Sequence, residues 1–410
     1  MPQNLTANAF TKTGYTFAGW ATSSGSTTAA HANGASVNNL TDTQGGTVDL
    51  YAVWTEDRYT VQFCVESGTG TLTAQITGET PKTSNNSTLQ TLASNITYGK
   101  TVTFTAAPEL AWEVDGWTKD GTSVNGTNTG YTLTVTGNTT VKVKFKKTTT
   151  IKAGSGAWKL LKEVVRIADD NAVITINGEI KATNEGSAGV DANWGEIEIN
   201  KNLTIKGGSG AVLNANSNHV TAPADAPATP HRIFKVTGNK KLKLQNLTLK
   251  GGKNNGMTGV IGQGGAITVS DSDGKAELTN CIIEDCQTEY GGAIGCDKNS
   301  TVKLTNTTIK NCTAHTGGDT GTGGAIYAEG ATVNITSCTL KGNEAKVFGG
   351  AIFAQNSGTT PTIVTITGGT IGGTNAADAN KTTSTEINEG MGGGIFVGPR
   401  CTLKMLNNVQ

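Results

Sequence analysis

The sequence predicts an all-β protein whose C-terminal part, residues 157–410, is a right-handed parallel β-helix. Three observations carry this. The first is a recurring Gly-Gly-Ala-Ile at 264–267, 291–294, 323–326 and 349–352, with a variant copy Gly392-Gly393-Gly394-Ile395. The second is a companion motif that follows each copy: Leu278-Thr279-Asn280, Leu304-Thr305-Asn306, Ile335-Thr336-Ser337, Ile366-Thr367-Gly368 and Met405-Leu406-Asn407. The step from first glycine to the apolar residue is 14, 13, 12, 17 and 13 residues, so the two motifs form one repeating unit. A unit of this size cannot bury its own apolar face and must stack on its neighbours. The third is the alternation of Thr and Val with Gly/Asn turn signals along nearly the whole chain, a strand-and-turn pattern.

Composition bounds the rest. The 410 residues are enough for two or three domains. Lys plus Arg equals Asp plus Glu at 32 each, and only four of the cations are arginines. With no basic block and few guanidinium groups, neither nucleic acid nor an anionic membrane is an expected partner. No stretch approaches the roughly 18 apolar residues of a membrane span, so membrane insertion by this chain is not expected. The seven cysteines show no Cys-x-x-Cys and no zinc spacing, and being odd in number they cannot all pair internally. No metal or other cofactor is expected.

Taken in order, residues 1–54 carry Gly14-Tyr15-Thr16-Phe17-Ala18-Gly19-Trp20 and close on Leu50-Tyr51-Ala52-Val53-Trp54. Phe17, Trp20, Tyr51, Val53 and Trp54 make a compact aromatic core for a module too small to build a larger one. Both segments resemble the Listeria–Bacteroides repeat, the B-repeat of internalins, nearly residue for residue. That resemblance implies a small β-grasp-like module, used in the family as a spacer and interaction module on cell surfaces. It also implies an opening strand ahead of Met1 that this chain lacks.

Residues 55–147 alternate apolar with Thr or Lys in Tyr59–Phe63, Thr101–Phe104, Tyr131–Val135 and Val141–Phe145, the period of half-buried strands. Asp115-Gly116-Trp117 echoes the Gly-Trp of the first module, and the segment resembles a divergent B-repeat. Residues 148–156 read as a linker. Trp158, Leu161, Val164 and Val165 then fall at helical spacing ahead of the strand Val173–Ile176. A short amphipathic helix there is placed to cap the open end of a β-helix.

Within 240–410 the repeats align into columns. Leu244, Leu278, Leu304, Ile335, Ile366 and Met405 form one; Leu249, Ile283, Ile309, Leu340 and Ile371 lie five residues on. The isoleucines 267, 294, 326, 352 and 395 form a third, and Val269, Cys296, Ala328, Ala354 and Val397 a fourth. Stacked at ~4.8 Å per rung, these columns make one continuous apolar interior. Asn246, Asn280, Asn306 and Asn407 predict a broken ladder of side-chain amides. The coil of 26 or more residues and its β-branched columns favour the β-helix over a leucine-rich repeat.

Gly-Gly-Ala-Ile with a nearby apolar-x-x-Asn, as in Leu340–Asn343, is similar to the repeats of chlamydial polymorphic membrane proteins. The resemblance covers about residues 240–410. It implies a surface-displayed β-helix, in many members an adhesin. It also marks a departure: where the family has Asn, this chain has Cys286 and Cys312. As neighbours in one column of a parallel coil, both point the same way. Two stacked thiols are expected there rather than a disulfide.

Many β-helices degrade polysaccharides, which is the competing class. Glycoside hydrolysis needs two carboxylates across the scissile bond, and no such pair stands in the strands of 157–410. Asp169-Asp170 reads as a helix-end turn, and Asp271-Ser272-Asp273-Gly274 as a turn rather than a calcium loop. Arg232 and Arg400 stack with no Asp column. His315, Asp319 and Tyr290 read as polar surface positions.

The expectation is therefore a non-catalytic bacterial surface or secreted protein, an adhesin for an extracellular protein or glycan. A polysaccharide lyase or hydrolase and a structural stalk are the alternatives. The return from companion motif to next Gly-Gly takes 20, 13, 19, 14 and 26 residues. The three long returns place extra segments at 253–262, 314–322 and 373–391, all expected at one turn of the coil, with His315, Asp319 and Glu386 among their charged groups. Insertions mapping to one face often make the binding face. Both ends read as cut, so a longer reading frame with a signal sequence is also expected.

Overall fold

The computed structural model describes residues 2–185, 192–217, 229–254, 262–270, 273–315, 320–384 and 390–410. The chain divides into two compact units, Met1–Lys147 and Thr148–Gln410.

In the first unit, Tyr15–Ala21 pairs antiparallel with Tyr51–Glu56. Phe17 packs edge-on against Trp20 and Trp54, with ring centroids 5.1 and 5.4 Å apart, and Ala21 and Val53 are buried beside them. Tyr51 is a correction: strand alternation puts it on the same face as Val53, yet it stands 39% exposed, at the first position of its strand and the last pair of the ladder, opposite Ala21. Residues 58–147 form two facing antiparallel-rich sheets of five and four strands. They close on one core that includes Phe63, Leu72, Phe104, Trp117, Val143 and Phe145.

The second unit is a parallel β-helix. One long sheet has 14 strands, a second has seven, and a third of two-residue strands has five. The column register read from the repeats is the register of the coil. Leu244 pairs with Leu278, then Leu304, Ile335, Ile366 and Met405, each one rung on. Leu249, Ile283, Ile309, Leu340 and Ile371 stack likewise, as do Ile267, Ile294, Ile326, Ile352 and Ile395. These columns run back through Ile205 and Phe234 to rungs where the repeat motif is no longer recognisable.

Ala157–Ile167 is the expected helix, with Trp158, Leu161, Val164 and Val165 buried. It lies against the first strands, Thr150–Lys152, Glu179–Lys181 and Ile197–Ile199. Its ends are finished by distant side chains: Asn193 accepts the Lys159 amide at 2.9 Å, and Lys201 donates to the Arg166 and Ala168 carbonyls, satisfying groups that helix termini leave open. The linker expectation needs correcting. Thr150–Lys152 is a strand paired in parallel with Thr175–Asn177, and Ile151 is fully buried. Three residues carry too little alternation to reveal this without the rung they join.

Candidate binding site on the solenoid

The Gly-Gly pairs are corners of the coil. The first glycines, 264, 291, 323, 349 and 392, all sit at φ between 60 and 69°, where a side chain is strained. A Cβ on Gly291 would stand 2.8 Å from the Tyr327 nitrogen, and one on Gly265 the same distance from the Gln287 nitrogen. The chain therefore turns with its backbone pressed against the neighbouring rung. Just ahead of each corner runs a bridging column, Gln263, Tyr290, Thr322, Phe348 and Met391.

The length differences fall between this column and the two-residue strands at 253–254, 287–288, 313–314, 344–345 and 381–382. In one rung 288 reaches 290 almost directly; in others 254 must reach 263 and 314 must reach 322. Two of the three long returns thus leave and re-enter at this one place. The third is a correction. Ile371 and Lys381 are separated by nine residues that include a short helical turn, Ala376–Asp378, whereas on the rung before the equivalent Leu340 and Glu344 are separated by three, Lys341, Gly342 and Asn343. Part of the 373–391 segment is therefore inserted one corner earlier, and only 383–390 shares the position of the other two. Counting between motifs could not see this, because the two-residue strand that divides the segment has no sequence signature of its own.

His315 lies at this edge. Its carbonyl accepts the Gln287 side-chain amide at 2.5 Å, and its Nδ1 is buried without a partner among the described residues. Asp319 and Glu386 lie outside the described residues. Tyr290 is part of an aromatic stack that sequence reasoning missed. Its ring meets Tyr327 at 5.1 Å, Tyr327 lies parallel to Phe353 at 5.6 Å, and Phe353 to Phe396 at 5.2 Å, with Phe348 beside Phe396. The signal was present in the residue after each repeat isoleucine: Thr268, Gly295, Tyr327, Phe353, Phe396. Because the rings cover one another's faces, the stack stiffens the wall rather than offering a flat platform. Tyr327 is held further by Glu329 at 2.7 Å and Gln355 at 2.6 Å, and burial, with Glu329 beside it, pushes its phenol well above the ordinary range.

Cys286 and Cys312 occupy one column on consecutive rungs, both fully buried and unbridged. Each thiol donates to the carbonyl two residues back, at 3.3 and 3.4 Å. Burial, with Cys286 alongside, holds the Cys312 thiol far above its usual range. The next rungs carry Asn343 and Asn380. There the buried Asn343 amide accepts the Cys312 N–H and donates to the Ile309 carbonyl, and Asn380 repeats the donor role to Leu340. Asparagine bridges rungs at this turn; cysteine fills the same space as a small apolar group.

The carboxylates weighed for chemistry are spread apart. Asp170 accepts the Asn202 amide at 2.8 Å, and that bond holds its carboxyl below the usual range. Asp273 occupies a left-handed turn at φ 70°, while Asp271 and Ser272 lie outside the described residues. Arg232 is engaged by Glu196 at 2.9 Å and by the Gln263 carbonyl. Among the described residues no group of three or more His, Cys, Asp or Glu is placed to hold a metal ion. A cavity of about 210 Å³ beside the capping helix is lined by Lys159, Glu163, Arg166, Glu196 and Glu198; its charges are of both signs, with Arg166 on Glu163 at 2.6 Å.

Residues 79–149 match the divergent InlB B-repeat domain, a repeat typical of bacterial surface and secreted proteins. The match takes in the strands from Lys82–Ser84 to Thr139–Lys147 and leaves out Arg58–Ser67, which pairs with that last strand in the same sheet. No described helix is long and apolar enough to cross a membrane. No curated protein and no solved structure matches the chain.

Proposed function

We propose that this chain is a non-catalytic bacterial cell-surface or secreted binding protein, an adhesin that presents the outside of a β-helix to an extracellular protein or glycan. The observation that carries the reading is the B-repeat match at residues 79–149 on a chain whose other unit is a rigid parallel solenoid. Such a solenoid has regular exterior faces and one corner where inserted segments gather, the arrangement that repeat proteins use for binding. His315 lies at that corner, and Asp319 and Glu386 are proposed as further ligand contacts from the sequence segments expected there.

The test is binding of the purified chain to arrays of glycans and matrix proteins and to whole cells, with a polysaccharide depolymerisation assay alongside. Binding without depolymerisation is the expected result. Release of reducing or unsaturated ends would move the chain to the polysaccharide-degrading class. Absence of binding to every surface would leave a stalk. Shortening the segments at 255–261, 316–321 and 383–389 reads the contribution of the corner: binding is expected to fall while the β-sheet circular dichroism stays unchanged.

A further inference from the structure

One face of the solenoid carries a grid of unengaged hydroxyls. On the long sheet, Thr279, Thr305, Thr336 and Thr367 stack in an outward column over four consecutive rungs. Three residues on, Thr308, Thr339 and Thr370 stack in a second. Between them run Asn280, Asn306, Ser337 and Gly368, all in left-handed turns. The inward neighbours are buried: Cys281, Thr307 and Cys338 sit beneath the turn. Sequence and fold thus separate two kinds of position, and the outward kind is hydroxyl or amide except at Gly368 and at Ile282, which takes the place of a threonine below Thr308 and is 38% exposed.

None of the seven threonine hydroxyls hydrogen-bonds to a described residue. Asn280 donates its amide to Asn246 at 3.0 Å, and Asn306 to Asn280 at 3.4 Å, so the amides hold one another in line along the axis. No charged side chain stands within the grid. Charges border it, and many are neutralised in place: Lys243 with Glu277 on one side, and Glu284 with Lys250 and Lys310 on the other.

We infer that this grid binds a single strand of an uncharged, extended polysaccharide laid along the solenoid axis. The inference rests on the binding-protein reading above and names its ligand class. An anionic polymer would need cations in the stripe, and the stripe has none. A peptide added as a strand would need an unpaired sheet edge, whereas these residues lie on a face whose backbone is already paired on both sides. What the face does offer is matched to sugar. Each threonine gives a hydroxyl that both donates and accepts and a methyl that packs against ring C–H groups. The set recurs every ~4.8 Å, close to the length of one pyranose in an extended chain. Each rung contributes a weak contact, and a polymer that spans several rungs gains by repetition.

The test uses the full chain with neutral β-1,4-linked glucan, xylan and chitin oligomers of increasing length, and polygalacturonate as the anionic control. Isothermal titration should show affinity that rises with oligomer length, levels off once the four rungs are spanned, and is insensitive to added salt. The double substitution T305E/T336E places charge in the grid at outward positions. It should weaken binding by about tenfold or more with unchanged circular dichroism and melting temperature. Full binding by that variant, preference for polygalacturonate, or adsorption to ice without retention of any neutral glycan would overturn the inference. If the chain still adheres to cells or matrix proteins in those cases, the binding-protein reading stands without it. If it adheres to nothing, both fall.

Discussion

Gly292 packs against the carbonyl of Gly324 on the next rung, and a Cβ at 292 would fall 2.6 Å from the Thr313 nitrogen. Neither neighbour is a side chain able to turn aside, so the second glycine of the first four repeats, 265, 292, 324 and 350, is fixed by backbone contact between rungs. Replacement Gly292→Ala is expected to cost about 2–3 kcal/mol, the scale of overpacking in a filled interior. Gly154→Ala, where a Cβ meets nothing, should stay within about 0.5 kcal/mol. Urea denaturation of both variants checks the contrast, and equal stabilities would contradict it.

The ladder Asn246–Asn280–Asn306 stops at Ser337, which keeps the left-handed backbone at φ 53° without the amide. Asparagine tolerates this conformation better than serine. Ser337→Asn is therefore expected to stabilise the chain by about 0.5–1 kcal/mol, by adding an amide within reach of Asn306. Asn280→Ala should cost about 1–2 kcal/mol, since it removes two amide bonds and leaves alanine in a left-handed turn. Thermal denaturation reads both signs.

Six of the seven cysteines are buried, and Cys401 is partly exposed. Burial raises the thiols of Cys281, Cys296, Cys312 and Cys338, so they stay protonated and unreactive at neutral pH. Alkylation of the folded protein without reductant should label Cys401 alone, and alkylation in denaturant should label all seven. Two missing labels in denaturant would reveal a bridge and remove the stacked-thiol description of Cys286 and Cys312.

His231 is buried against Trp158, with ring centroids 5.3 Å apart, and its Nδ1 pairs with the Arg232 carbonyl at 2.8 Å. Desolvation pulls its pKa down from 6.5 to about 4, with Lys162 acting in the same direction. The folded state therefore resists protonation that the unfolded chain accepts. Above pH 6.5 both are neutral and stability is fully present. Between 6.5 and about 4 the unfolded chain binds the proton first, so stability falls as pH falls, by roughly 3 kcal/mol for a shift of this size. His231→Phe keeps a ring on Trp158 and should flatten that segment of the stability–pH curve in the second unit. An unchanged slope would show that another group carries it.

The inward columns were legible in the sequence because a parallel coil repeats one environment at one spacing. Leu244, Leu278 and Leu304 face the same interior, so the same residue type recurs and alignment alone returns the register. The first module's Val53 and the capping helix's Trp158 were legible for a related reason: period two and period 3.6 mark a buried face directly. Tertiary structure decided what has no period. Ile151 became a rung because a partner strand was there to pair with it. The segment at 373–391 divided in two because Lys381–Thr382 joined a sheet of two-residue strands, too short to carry alternation. Tyr327, Phe353 and Phe396, and Thr305 and Thr336, do recur at fixed places in the repeat, but that they form one ring stack and one outward hydroxyl grid shows only when their rungs lie ~4.8 Å apart. Outward positions answer to whatever lies across the rung, and that neighbour is chosen by the coil, not by the residues beside it in the chain.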